Sequence, residues 1–235
     1  MEQYCYYCVE ESAEGQVVGA YPQCQYVKGY TEDEYEKEMI VLKHFDDEVS
    51  TNLYTPELPR MDLYRLDGRA KLTNFLSYIN QGMLLFDEKA LKLLENFNTG
   101  NSLILPTDII KRGTPVRYNF MYLVSGLRDY IVFNECEFKW MDWSDNRNPQ
   151  ECSGSFESYE QYYEWFWARF PCIHRFTFTK IVLKRMPFEI CDIVRFPFVN
   201  RNEYYFSEAL KKAIESENLT GLEPHHEVKV IIKDI

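Results

Sequence analysis

Phe206-Ser207-Glu208-Ala209-Leu210-Lys211-Lys212-Ala213-Ile214-Glu215-Ser216 reads as a short amphipathic helix with a marked beginning. The Ser207 hydroxyl suits an N-cap, where a side-chain oxygen accepts from the otherwise orphaned N–H groups of the first turn. Ala209, Leu210, Ala213 and Ile214 recur with helical spacing and give the helix one apolar face. Residues 218–221 supply the turn after it, ending on Gly221, which can hold a positive φ that side chains resist. Beyond the turn, residues 227–233 alternate between polar and apolar side chains, the period of a strand. Upstream, residues 175–185 also alternate and carry β-branched Thr177, Thr179, Ile181 and Val182, and residues 190–198 read as a further strand.

Nearer the middle of the chain a second capped helix is expected over residues 87–97. Asp87 caps it, Phe86 and Leu91 are placed for a hydrophobic staple, Ala90, Leu91 and Leu94 form its buried stripe, and Asn98-Thr99-Gly100 ends it. Phe86-Asp87-Glu88 with Ala90-Leu91-Lys92 echoes Phe206-Ser207-Glu208 with Ala209-Leu210-Lys211; two capped amphipathic helices can look alike by chance, and this is not read as a repeat. Strands are expected at 102–105, 116–124 and 130–133, and a helix over 70–79 from the spacing of Leu72, Phe75, Leu76 and Ile79. Residues 157–170 are helical in pattern and rich in aromatics, with Tyr159, Tyr162, Tyr163 and Phe166 on one stripe and Trp165 projecting elsewhere. The polar stretch 141–155 reads as a surface loop, the first thirty residues as extended, residues 31–34 as a capping box opening a short acidic helix, and 46–62 as a loop. Strands and helices do not alternate as in βαβ units, so the class is α+β, a largely antiparallel or mixed sheet packed with a few amphipathic helices. The length suits a single domain, 1–235, with an acidic N-terminal subdomain over 1–60.

Charge is uneven. The formal net charge is −11, and residues 1–60 hold 13 acidic against 4 basic side chains. Such a chain repels phosphate backbones, which argues against nucleic acid; its negative field suits a basic protein partner, but on charge alone the plainer reading is that the excess acid keeps the protein soluble. No apolar run approaches the ~20 residues of a membrane helix, and Met1-Glu2-Gln3-Tyr4 lacks the basic and apolar parts of a secretory signal, so a cytoplasmic location and no membrane partner are expected. Seven scattered cysteines suit that compartment.

No catalytic constellation is visible: no Gly-rich phosphate loop, no Gly-x-Ser-x-Gly, no His-Glu-x-x-His. Cys5 and Cys8 have the spacing of half a zinc site, but Cys24, His225 and His226 would have to complete it through the fold, so neither metal nor cofactor is expected. Cys172 and His174, two apart on one strand, would point the same way without meeting closely as nucleophile and base, and His225-His226 reads as an exposed loop. Asp46-Asp47-Glu48 reads as a solvated face. The candidate partner-binding residues are Glu32, Asp33, Glu34, Glu36 and Glu38 for their charge, and Trp165 and Trp167 because the aromatics of that helix exceed what one buried stripe needs.

Tyr205-Phe206-Ser207-Glu208-Ala209-Leu210-Lys211 followed by Leu219-Thr220-Gly221-Leu222-Glu223 resembles the C-terminal signature of a bacterial immunity-protein family of polymorphic toxin systems. Leu85-Phe86-Asp87-Glu88-Lys89-Ala90-Leu91 leading to Ile104-Leu105-Pro106, and Asp192-Ile193-Val194-Arg195-Phe196, look like the same family, over roughly residues 65–225. The resemblance implies a non-enzymatic protein that binds and neutralises a cognate toxin, and the acidic charge suits a basic toxin such as a nuclease. The matching residues are structural and mark no binding surface. The alternative is a small-molecule-binding or enzymatic domain whose pocket residues are not contiguous.

Overall fold

The computed structural model describes residues 1–11, 24–26, 64–66, 69–76, 83–100, 102–123, 127–145, 147–169, 172–195 and 204–235. In chain order these form β1 (Glu2–Glu11), β2 (Cys24–Tyr26), β3 (Tyr64–Leu66), β4 (Phe75–Leu76), β5 (Met83–Phe86), α1 (Glu88–Leu94), β6 (Leu103–Lys111), β7 (Thr114–Tyr122), β8 (Glu137–Asp142), β9 (Gln150–Gly154), α2 (Tyr159–Arg169), β10 (Ile173–Lys184), β11 (Ile193–Val194), β12 (Tyr204–Ser207), α3 (Glu208–Ser216) and β13 (Leu222–Lys233). The fold is α+β, with two mixed sheets. One has the order β11-β12-β1-β13-β10-β8-β9 and the other β4-β5-β7-β6-β3-β2.

Those two orders are the same arrangement, apart from β9. In each, a short strand pairs antiparallel with the strand that leads into a capped helix (β11 with β12, β4 with β5). That strand pairs antiparallel with a central one (β12 with β1, β5 with β7), which pairs antiparallel with the strand following the helix (β13, β6). The strand after the helix then pairs in parallel (β13 with β10, β6 with β3), and the last pair is antiparallel (β10 with β8, β3 with β2). The echo between Phe86-Asp87-Glu88 and Phe206-Ser207-Glu208 therefore marks equivalent positions in two like units, which the sequence reading did not grant. Asp87 accepts from the Ala90 N–H at 2.9 Å and Ser207 from the Leu210 N–H at 3.2 Å.

The units hold each other by a reciprocal exchange. The turn after α3 docks on the residues entering β4: Phe75 donates its N–H to the Thr220 carbonyl, and the Thr220 N–H donates to Asn74 Oδ1, both at 2.9 Å. The turn after α1 docks in the same way before β11: Asp192 donates its N–H to the Asn98 carbonyl at 2.7 Å, and the Asn98 N–H donates to Asp192 Oδ2 at 2.8 Å. Gly221, at φ 104°, lies so near β4 that a Cβ placed on it would sit 2.0 Å from the Phe75 carbonyl oxygen.

Three apolar layers follow from this pairing. The middle one gathers Phe75, Leu84, Phe86 and Met121 from one sheet, Val9, Ile193, Tyr204 and Phe206 from the other, and Ala90, Leu94, Leu210 and Ile214 from the helices between them. The outer layers take the alternate residues: Leu76, Leu85 and Phe120 on one side, Cys8, Val194 and Tyr205 on the other. Successive side chains of a strand point to opposite faces, so strands buried on both faces read as continuous apolar runs.

This double burial corrects the helix expected over 70–79. Phe75 and Leu76 are adjacent and both fully buried because β4 lies between two layers, while Leu72 is exposed. Residues 130–133 form no strand: Tyr130 ends one 3-10 turn, Phe133 opens the next, and between them Ile131 makes an isolated bridge to Leu183. The polar stretch 141–155 is the β8–β9 hairpin, Phe138 facing Gly154 and Asp142 facing Gln150. An edge strand needs only one partner, so the exposed Gln150, Glu151 and Ser153 carry little apolar signal. β1 lies between β12 and β13, which places residues 2–11 inside the C-terminal sheet and not in a separate N-terminal subdomain. The acidic helix and loop expected over 31–62 lie outside the described residues.

Candidate functional site

The first unit has no described counterpart of α2, which covers the outer face of the seven-stranded sheet. Its start is set by Ser158, whose hydroxyl accepts from the Gln161 N–H at 3.3 Å, while Gln161 Oε1 accepts from the Glu157 N–H at 2.7 Å. Ser158-Tyr159-Glu160-Gln161 is thus close to a capping box, a signal present in the sequence. Its inner side rests on a nest of rings. Phe138 is the hub, with ring centroids at 4.5 Å to Phe178, 5.1 Å to Phe176 and 5.4 Å to Phe156. Tyr162 stacks on Phe176 at 5.1 Å and is buried.

Trp165 belongs to this nest. It meets Trp140 edge-on at 4.8 Å and Phe156 at 5.1 Å, with the Arg169 guanidinium 5.2 Å over its ring. It is half-buried and anchors the helix, so its principal contacts are within the chain. Trp167 lies on the outer face at 47% exposure, with Tyr163 one turn away at 50% and their rings 6.0 Å apart. The spacing sets Tyr163 on one stripe with Tyr159, Tyr162 and Phe166 and sends Trp165 elsewhere, but the core-facing side is rotated toward Tyr162, Trp165 and Phe166. Helical spacing admits both stripes when apolar residues fill nearly every position, and only the ring nest beneath decides between them.

The outer face is also acidic. Glu157, Glu160 and Glu164 are exposed along it. On β8 the Ser144 backbone N–H, then the Ser144 side chain, hold the Asp142 carboxyl below its usual value, with a smaller contribution from Arg169 of α2. The surface is therefore a pair of large, preordered rings bordered by carboxylates, on a helix locked to its sheet. It suits contact with a basic protein surface, since Tyr and Trp bring large contact area with few rotatable bonds.

The remaining expectations fall elsewhere. Glu32, Asp33, Glu34, Glu36 and Glu38 lie outside the described residues. Cys5 and Cys8 are three apart on β1 and so point to opposite faces. Among the described residues no three His, Cys, Asp or Glu side chains form a group that could hold a metal ion. His174 packs on Trp143, ring centroids 5.7 Å apart. His225 and His226 are in β13 and not in a loop. No helix among the described residues is long and apolar enough to cross a membrane. Compared with protein-family models and with curated proteins, the chain matches none.

Proposed function

We propose that this chain is a bacterial immunity protein that binds a cognate protein toxin and neutralises it, with the outer face of α2 as its contact surface. The observation that carries the reading is the exposed Tyr163–Trp167 pair, held on a rigid ring nest and bordered by Glu157, Glu160 and Glu164. Solvent exposure of two large rings stabilises nothing in the isolated fold, and such rings are the usual anchors of protein interfaces. Three segments that resemble the immunity family, around Asp87, Asp192 and Ser207, are those that build and join the two units, so the resemblance speaks for the scaffold and the aromatic face for the contact. A basic toxin fits the bordering carboxylates and the overall charge of −11.

The test is binding to the toxin domain encoded beside the gene for this chain, measured by calorimetry. Replacing Tyr163 and Trp167 together with Ala should weaken binding by about a hundredfold or more, because two anchor rings commonly carry ~3 kcal/mol of an interface. The fold should keep its denaturation midpoint. Undiminished affinity in a folded double variant would remove α2 as the contact surface, and absence of any binding by the unmodified chain would remove the immunity reading itself.

A further inference from the structure

In the seven-stranded sheet β10 and β13 are neighbours for only half their length. They pair in parallel from Lys180–Lys229 to Lys184–Lys233, and before that each keeps only its other partner, β8 or β1. The sheet therefore splits between residues 173–178 of β10 and 222–228 of β13. Both strands are also irregular there. The β10–β8 register shifts between His174 and Thr177, with Arg175 at φ 52°, and the β13–β1 register shifts beside His225, where Cys8 faces His226 but Val9 faces Pro224. Bulges bend a strand and re-aim its side chains, and they gather beside functional sites. A left-handed arginine is a strained residue that something must hold.

A cavity of about 120 Å³ occupies this split, lined by Cys8, Lys139, Arg175, Thr177, His225 and His226 among others, with Glu151 the one carboxylate among the described lining residues. His226 bridges the gap: its Nε2 lies 2.9 Å from the Phe178 carbonyl, which can only accept, so Nε2 carries the proton and Nδ1 is the nitrogen left to titrate. Thr177, whose hydroxyl is 3.0 Å from that of Tyr205, adds a polar wall. Lys139 and Arg175 against Glu151 leave the described lining net positive in a chain of net charge −11, with two imidazoles beside them. A metal ion would be repelled from such a recess, whereas an anion would be held by it.

We propose that the split between β10 and β13 is a binding site for a small tetrahedral oxyanion, inorganic phosphate or the phosphate group of a small phosphomonoester, held by Lys139, Arg175 and the His225-His226 pair. The guanidinium of Arg175 offers forked donors suited to phosphate oxygens, and Lys139 a point charge. Glu151 competes with the ligand from β9. Burial, with smaller contributions from Lys139 and His225, holds the His226 imidazole below its ordinary pKa against the opposing hydrogen bond to the Phe178 carbonyl and the weaker pull of Glu151, so a bound dianion should raise it. The site is independent of the aromatic face and does not require a toxin.

The experiment is a titration of the full chain with inorganic phosphate at constant ionic strength, read by the histidine ring signals in NMR and by calorimetry, with chloride and acetate as controls. The expected result is saturable binding of phosphate, an upward shift of the His226 pKa, and no matching response to chloride or acetate. Lys139→Gln should weaken binding about tenfold, the loss of one charged hydrogen bond, while Glu151→Gln should tighten it. Arg175→Asn is the decisive variant, because asparagine tolerates the left-handed backbone: the fold should keep its midpoint while phosphate binding falls about tenfold. No saturable response to phosphate, an equal response to acetate, or full binding by a folded Arg175→Asn variant would each overturn the proposal.

Discussion

The unit around α1 and the unit around α3 share strand order, helix caps and docking turn, and they differ in two ways. In the first, the central strand β7 follows β6 directly through the tight turn at Arg112-Gly113. In the second, the equivalent strand is β1, drawn from the other end of the chain. The second unit also carries what has no described counterpart in the first: the added strand β9, the helix α2 before β10, and the split beside β13. Both proposed sites lie in those additions. On these proposals the shared parts serve folding and the unshared parts serve binding, so segments that resemble a family's scaffold would not mark an interface.

The comparison breaks most easily at the docking turns. Gly221→Ala should cost more than about 3 kcal/mol, since its Cβ would strike the Phe75 backbone as well as straining a φ of 104°. Gly100→Ala, at φ 61° in the equivalent turn, should cost only about 1 to 2 kcal/mol. Urea denaturation of the pair measures both, and equal losses would mean that the close approach of β4 to Gly221 adds nothing to the strain of its positive φ.

Within α2 the contrast is between neighbours. Trp165→Ala should destabilise by about 2 to 3 kcal/mol through lost ring packing, and Trp167→Ala by less than about 1. Thermal midpoints of the two single variants decide it, and a reversed order would return Trp165 to the surface.

The caps should behave alike. Asp87→Ala and Ser207→Ala are each expected to cost about 1 kcal/mol, measured by the same urea titration. The smallest effect concerns pH and belongs to the second unit only. The folded-state pKa of His226 lies below the ordinary 6.5, so the unfolded chain binds the proton more readily and stability falls as pH drops through and below that value. His226→Gln should flatten the slope of stability against pH in that window, and an unchanged slope would assign it to other groups.

How legible this was in the sequence varies with what each residue must do. Asp87, Ser207 and the glycine turns were readable because a cap or a positive φ needs a particular side chain at one position. The strands β10 and β13 were readable in part because each has an alternating stretch. β4 was not, since two layers bury its adjacent residues, and β9 was not, since an edge strand borrows its order from β8. The basic recess was invisible for a different reason. Its members come from five strands and converge only because two bulges fall opposite one another, and neither bulge has a side-chain signature.

The placement of β1 also has a consequence in time. The first unit's central strand is made within a few residues of β6, but β1 leaves the ribosome about two hundred residues before β12 and β13 exist to receive it. At about 5 to 20 residues per second, that is an interval of about 10 to 40 seconds during which a strand rich in tyrosine and cysteine has both edges unsatisfied. Glu2 at one end, and Glu10 and Glu11 at the other, are then the guards of a nascent chain: like charges at both ends oppose its pairing with a copy on the neighbouring ribosome until its own partners arrive.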